Sequence, residues 1–263
     1  MNVTARLLSY VLRDVARSRW VLATGIFFLV ATDALLRFGT GGSAALLAIG
    51  TLVLLVVPLV SILFGTIYLH HAREFTALLL AQPVTRGQLF TAQLTGLTIP
   101  MALAMAVGIA VPFAVHGLPP GTAGTSLATV VALAAILAVV FVALAFVVAM
   151  RFEDRVTGLA AAVGLWLLFA LIHDGVVLLL IMVFSDHPIE RPVLAMMLAN
   201  PVDLARVLLL MQFDASALMG YTGAVLQRTL TGRAGIALAM TALAAWVAIP
   251  GLISWRIFRR KNL

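Results

Sequence analysis

Six long apolar runs constrain this chain more than any other feature. They lie near residues 20–36, 44–69, 94–115, 129–150, 156–184 and 234–257. As helices, which rise about 1.5 Å per residue, each is long enough to cross a hydrocarbon layer of about 30 Å. Only 10% of the residues are charged and 63% are hydrophobic. A water-facing surface needs roughly 25% charged residues, so the outer surface of this protein must be lipid. In lipid the backbone polar groups have to be satisfied within each segment. The expected fold is therefore all-α, with six transmembrane helices in a single membrane domain over 1–263.

The basic residues give the orientation. Arg6, Arg13, Arg17, Arg19, Arg73, Arg86, Arg151, Arg155, Arg256, Arg259, Arg260 and Lys261 fall on one side of the spans. Only Arg37, Arg191, Arg206, Arg228 and Arg233 fall on the other. The excess of arginine and lysine marks the cytoplasmic side, and an even number of spans puts both termini there. The net charge of +7 thus reflects topology. Nucleic-acid binding is not expected, because the arginines sit at helix ends rather than along one groove-sized face.

Three segments lie outside the spans. Residues 1–19 carry Leu7, Leu8, Val11, Leu12 and Val15 at helical spacing, with arginines around much of the remainder. This pattern suits an amphipathic helix in the headgroup plane; an extension of the first span is the alternative. The cytoplasmic link 70–93 reads as a short amphipathic helix, a turn at Pro83 and a returning helix. The external link 185–233 holds apolar stretches too short to span and too apolar for water. They are expected to lie at the interface or to fold back into the outer mouth of the bundle.

Several chemistries are excluded. Lys261 is the only lysine, so there is no phosphate-binding loop of the Gly-x-x-x-x-Gly-Lys type, and no zinc-protease or serine-hydrolase motif occurs. The absence of cysteine rules out disulfides and thiolate sites. No catalytic residue and no resident metal or cofactor is expected in this chain. Met196, Met197, Met211 and Met219 could in principle hold Cu(I) but read more simply as apolar gap-fillers. His173 and Asp174 stand out, because ionisable groups deep in a span are expensive and are candidates for a pathway or for a helix–helix clamp. Asp33 and Arg37, one turn apart, form an expected i,i+4 pair. In 198–208, Asn200 can cap a helix, Pro201 suits its first position, Asp203 its first turn, and Arg206 can pair with Asp203. That element either starts a short external helix or docks a periplasmic partner.

The segment 70–96 resembles the first cytoplasmic loop of type-2 ABC exporter permeases, through Glu74, Thr76, Leu79, Leu80, Pro83 and Arg86. It departs from that pattern at Phe75, where glycine is usual, and at Gln93, near a usual lysine. The element around Asn200–Arg206 is similar to one found in permeases of copper-processing systems for nitrous-oxide reductase. The resemblance implies a membrane subunit that pairs as a homodimer in the bacterial inner membrane. It also implies a separate ATPase subunit, which would bind ATP and magnesium. Arg73, Glu74, Leu79, Leu80, Pro83 and Arg86 would form the joint to that ATPase. A sulfur- or copper-related cargo is implied by the narrower likeness; a drug, lipid or peptide exporter is the alternative. A membrane enzyme or proton-coupled carrier would need more paired acids or histidines within the spans than His173 and Asp174 supply.

Overall fold

The computed structural model describes residues 3–39, 42–81, 84–117, 123–184, 190–212 and 233–260, and among these the regular structure is helical. The helices are α1 (Val3–Ala16), α2 (Arg19–Phe38), α3 (Gly42–His71), α4 (Arg73–Leu80), α5 (Arg86–His116) and α6 (Ala123–Arg151). They are followed by α7 (Arg155–Leu167), a π-helical turn (Leu168–Ile172), α8 (His173–Val183), α9 (Glu190–Leu198), α10 (Pro201–Gln212) and α11 (Arg233–Arg260). Among the described residues, six stretches are long and apolar enough to cross a membrane: α2, α3, α5, α6, the continuous α7–π–α8 rod, and α11.

Local chemistry explains the boundaries. Ser18 accepts a hydrogen bond from the Trp20 N–H and separates α1 from α2. Thr85 and Gln88 cap α5 reciprocally: the Gln88 N–H donates to the Thr85 hydroxyl (3.3 Å) and the Thr85 N–H to the Gln88 side chain (3.1 Å). Asp154 caps α7, and the hydrogen bonds from the Thr157 N–H and hydroxyl hold its carboxyl below its ordinary value. Pro58, Pro100, Pro112 and Pro250 lie inside helices, as a bundle in lipid tolerates when neighbouring groups serve the freed carbonyls.

Packing centres on α6. Phe141 and Phe146 are fully buried, and Phe90 of α5 meets Phe146 at 5.2 Å and Phe258 of α11 at 5.8 Å. Helices α3, α5, α7, α10 and α11 all pack against α6. Helix α2 packs mainly on α5, through close backbone approach at Gly25 and Gly108.

The helix ends group as the arginine pattern requires. Arg155 donates to His71 (3.1 Å), Arg73 to carbonyls at the end of α6, and Arg86 to carbonyls at the end of α11. At the opposite face His116 meets Asp33, and Gln212 donates to Thr125. Helix α1 is a separate helix, but its apolar face does not rest on lipid. Val11 and Val15 are buried, and α1 packs along α5.

The external link follows one of its two expected courses. Helices α9 and α10 meet at a bend of 101°. Pro201, Val202, Leu204, Ala205, Val207 and Leu209 are buried, with α10 against α3, α6 and α11. Of the two sequence-based expectations, folding back into the bundle is the one observed. Apolar surface that cannot face water finds its cover there. The rest of the link, with Met219, lies outside the described residues. Met197 is buried with Val177, Val193 and Val207, and Met196 and Met211 pack beside it, so these thioethers fill gaps in an apolar cluster.

Candidate functional site

Two polar constellations break the apolar bundle, one at the arginine-rich face and one in its interior.

At the arginine-rich face, α4 lies across the ends of the spans. Thr76 is buried and accepts a 2.8 Å hydrogen bond from Gln93 of α5, so the departure from lysine at position 93 serves to pin α4 to α5. Leu79 and Leu80 pack on the core. The outward face carries Glu74, Phe75 (41% exposed) and Leu78 (68% exposed). The two arginines expected to serve as exposed docking charges are turned inward. Arg73 donates to the carbonyls of Glu153 (2.7 Å), Phe152 (2.6 Å) and Ala149. Arg86 donates to those of Phe258 (3.1 Å) and Arg259 (3.0 Å). Each guanidinium satisfies carbonyls that a helix end leaves without intrahelical partners, and its charge complements the negative end of the helix dipole. Thus α4 and the start of α5 are bolted to the C-terminal ends of α6 and α11. Phe75 and Leu78 were not among the residues singled out in the sequence; the i,i+3 spacing of Phe75 and Leu78 and the i,i+4 spacing of Glu74 and Leu78 were the available signal. Pro83 lies outside the described residues.

In the interior, the fifth span and α10 share a charged cluster. The π turn at Leu168–Ile172 comes just before His173 and Asp174, and such turns release backbone groups from the regular ladder. Asn200 donates from its amide to the carbonyl of Phe169 (2.8 Å) and to Asp203 (2.9 Å), while its own oxygen caps Val202 (2.9 Å). The Nδ1 of His173 lies 2.8 Å from Asp203. Arg206 bridges Asp174 (2.8 Å) and Asp203 (3.2 Å). Trp246 of α11 closes the bend between α9 and α10, donating to the carbonyl of Leu198 (3.1 Å) and stacking edge-on with Phe169 at 5.3 Å.

The helix start at Asn200–Pro201 and the Asp203–Arg206 pair are as expected, but the placement is not. Asn200 and Asp203 are buried, at 0% and 4% exposure, and Arg206 reaches into the fifth span. The element, read as either the start of a short external helix or a docking site for a periplasmic partner, does start a helix, and it does so buried at the bend between α9 and α10. Burial follows from chemistry: His173 and Asp174 are affordable in the span because this element supplies their partners. Donor atoms of His173, Asp174 and Asp203 converge within 4.8 Å. The Arg206 guanidinium stands against both carboxylates where a cation would bind, so the donor set fits an ion cluster better than a metal centre. Asp33 and Arg37 pair at 2.8 Å as expected, joined by His116, which the sequence did not reveal.

Among the described residues, six helical stretches long and apolar enough to span, a short helix pinned at their arginine-rich ends and a sharply bent helix pair packed among them make this chain an all-α, multi-pass membrane protein. It is similar to two proteins named probable ABC transporter permease protein NosY. The one from Stutzerimonas stutzeri is 27% identical over 267 residues, covering 95% of each chain. The one from Pseudomonas aeruginosa is 26% identical over 268 residues, covering 96% of each. No protein-family model matches the chain. The resemblance read from residues 70–96 and 198–208 agrees with these relatives: the protein is a NosY-like ABC transporter permease.

Proposed function

We propose that this permease is driven by a separate ATPase that docks on the outward face of α4. One observation carries the reading. α4 presents Glu74, Phe75 and Leu78 outward, while Arg73 and Arg86 on either side of it grip the ends of α6 and α11. A displacement of α4 would thereby be passed to the central span and the last span as a rigid unit, a shear of packed helices. The arginine excess supports a cytoplasmic position for this face and for both termini, and the bacterial relatives make an inner membrane the fitting location. Two copies would enclose the pathway between them, each with its own ATPase binding ATP and magnesium. The bent α9–α10 pair, held from the opposite side by the Asn200–Arg206 cluster, would close the outer end.

The likeness to NosY makes a sulfur- or copper-related species the first cargo to test. A periplasmic protein that receives it would meet the outer surface of the α9–α10 pair, since Asn200, Pro201, Asp203 and Arg206 are occupied within the bundle.

Co-purification of the full chain with its co-expressed ATPase tests the reading. Leu78→Asp and Glu74→Lys should each abolish co-purification and ATP-dependent transport while leaving the thermal melt in detergent unchanged. Retained association in both variants, or transport that persists without nucleotide, would overturn it.

A further inference from the structure

The N-terminal helix has a role that the permease reading leaves unused. Arg6, Tyr10, Arg13 and Arg17 recur at helical spacing along one face of α1 and, with Ser9 and Asp14, line a cavity of about 530 Å³. A second cavity of about 400 Å³ shares Asp14 and Arg17 with the first. It continues past Ser18 and Arg19 to an apolar wall of Trp20, Phe64 and Ile67 between α2 and α3. A third, of about 320 Å³, shares Arg19 and Trp20 and runs up α2 to Ala23. The three adjoin through these shared residues, basic at the end of Arg6, Arg13 and Arg17 and apolar at Trp20 and Ala23.

Its depth follows from the packing. Helices α2 and α5 run side by side, with Gly25 against Ala104 and Gly108, and Asp33 against His116. Arg19 is therefore level with the part of α5 near residue 98. Val11 packs on Gly96, within about 10 Å of that level at the helical rise per residue. Helix α1 thus lies at the depth of the headgroups. The charge is unbalanced: four arginines face one carboxylate, and Asp14 already accepts a hydrogen bond from the Tyr68 hydroxyl at 3.1 Å. Among the described residues, none of Arg6, Arg13, Arg17 and Arg19 belongs to an ion pair.

We propose that these adjoining cavities bind an anionic phospholipid of the cytoplasmic leaflet. The phosphate lies on Arg17 and Arg19, and the start of an acyl chain runs along Trp20, Ala23, Phe64 and Ile67. Arginine forks suit phosphate oxygens, and an exposed tryptophan beside them suits the interface. A free anion would leave the apolar wall unused, and a soluble protein would have to reach into the headgroup layer to fill it. The inference rests on the cytoplasmic placement of the arginine-rich face and is independent of the ATPase joint.

Native mass spectrometry of the full chain, titrated with phosphatidylglycerol or phosphatidylcholine, tests it. Phosphatidylglycerol should remain bound and phosphatidylcholine should not. Arg17→Gln with Arg19→Gln should weaken retention about 30-fold, given the attraction of two basic residues to an anionic surface. Arg17→Lys with Arg19→Lys, which preserves the charge but not the fork, should weaken it less than the glutamine pair does. Trp20→Ala should weaken it with the arginines intact. Equal retention of the two lipids, or an unchanged Arg17→Gln with Arg19→Gln variant, would sink the proposal. So would displacement of the lipid by millimolar inorganic phosphate, which would reveal a plain anion site. Loss of the ATPase with lipid retention intact would reassign the cavities to a protein partner. Because the chain lacks cysteine, labelling Asn2→Cys from either side of the membrane checks the placement separately from lipid binding.

Discussion

Asn200 donates a 2.8 Å hydrogen bond to the carbonyl of Phe169, 31 residues earlier in the chain. The acceptor lies in the π turn of the fifth span and the donor at the bend between α9 and α10. One amide therefore caps α10, steadies Asp203 and satisfies a carbonyl in the interior of the bundle. Asn200→Leu should cost about 2–3 kcal/mol, the sum of a lost cap and an unsatisfied buried acceptor. A lowered thermal midpoint in detergent would show it; an unchanged midpoint would mean that the bend does not depend on this bond.

Arg206 is the only permanent cation facing Asp174 and Asp203 among the described residues. Arg206→Leu leaves both carboxylates without a permanent cation, with Asp203 still held by Asn200 and His173. Breaking a fully buried pair costs about 3–5 kcal/mol. The side chains of Arg206 and Asp174 are about one-third exposed, which screens part of that, so a loss on the order of 2 kcal/mol is expected. Adding Asp174→Asn to Arg206→Leu should recover part of the loss. A double-mutant cycle on thermal or denaturant midpoints measures the coupling.

Arg73 satisfies three carbonyls at the end of α6. Arg73→Ala should destabilise the protein by about 2–3 kcal/mol. It should also separate ATP hydrolysis from transport, because α4 would then move without α6. Leu78→Asp makes the contrasting case, with full stability and no ATPase bound. Measuring ATPase association and transport together in both variants distinguishes the bolt from the docking face.

A Cβ at Gly96 would come within 2.4 Å of a Val11 methyl. Gly96→Val should force α1 away from α5 at a cost of about 1–3 kcal/mol from overpacking. Faster protease cleavage between α1 and α2, with the remaining spans still folded, is the expected outcome.

Local patterns were legible without coordinates. Apolar length gave the spans, arginine distribution gave the grouping of helix ends, and the Thr85–Gln88 and Asn200–Pro201 pairs gave two helix starts. Glu74, Thr76 and the leucines after it marked α4 correctly. The same patterns misplaced the partners of Arg73 and Arg86, and for Asn200 and Arg206 they gave the local cap and the Asp203 pair but not Phe169 or Asp174. A charged side chain beside an apolar ridge reads as surface, yet these four find carbonyls and carboxylates far along the chain, up to 173 residues away for Arg86 and Arg259.

Composition and periodicity thus determined that this polypeptide crosses a membrane as a bundle of helices, because burial of a 30 Å apolar segment is a local property of its residues. Tertiary structure alone decided how each helix is rotated and which ends meet. It therefore decided that the external link enters the bundle, that His116 joins Asp33, and that α1 covers α5 rather than lipid. Those outcomes depend on competing pairings of similar apolar faces. Only close packing and the satisfaction of every buried polar group select among them.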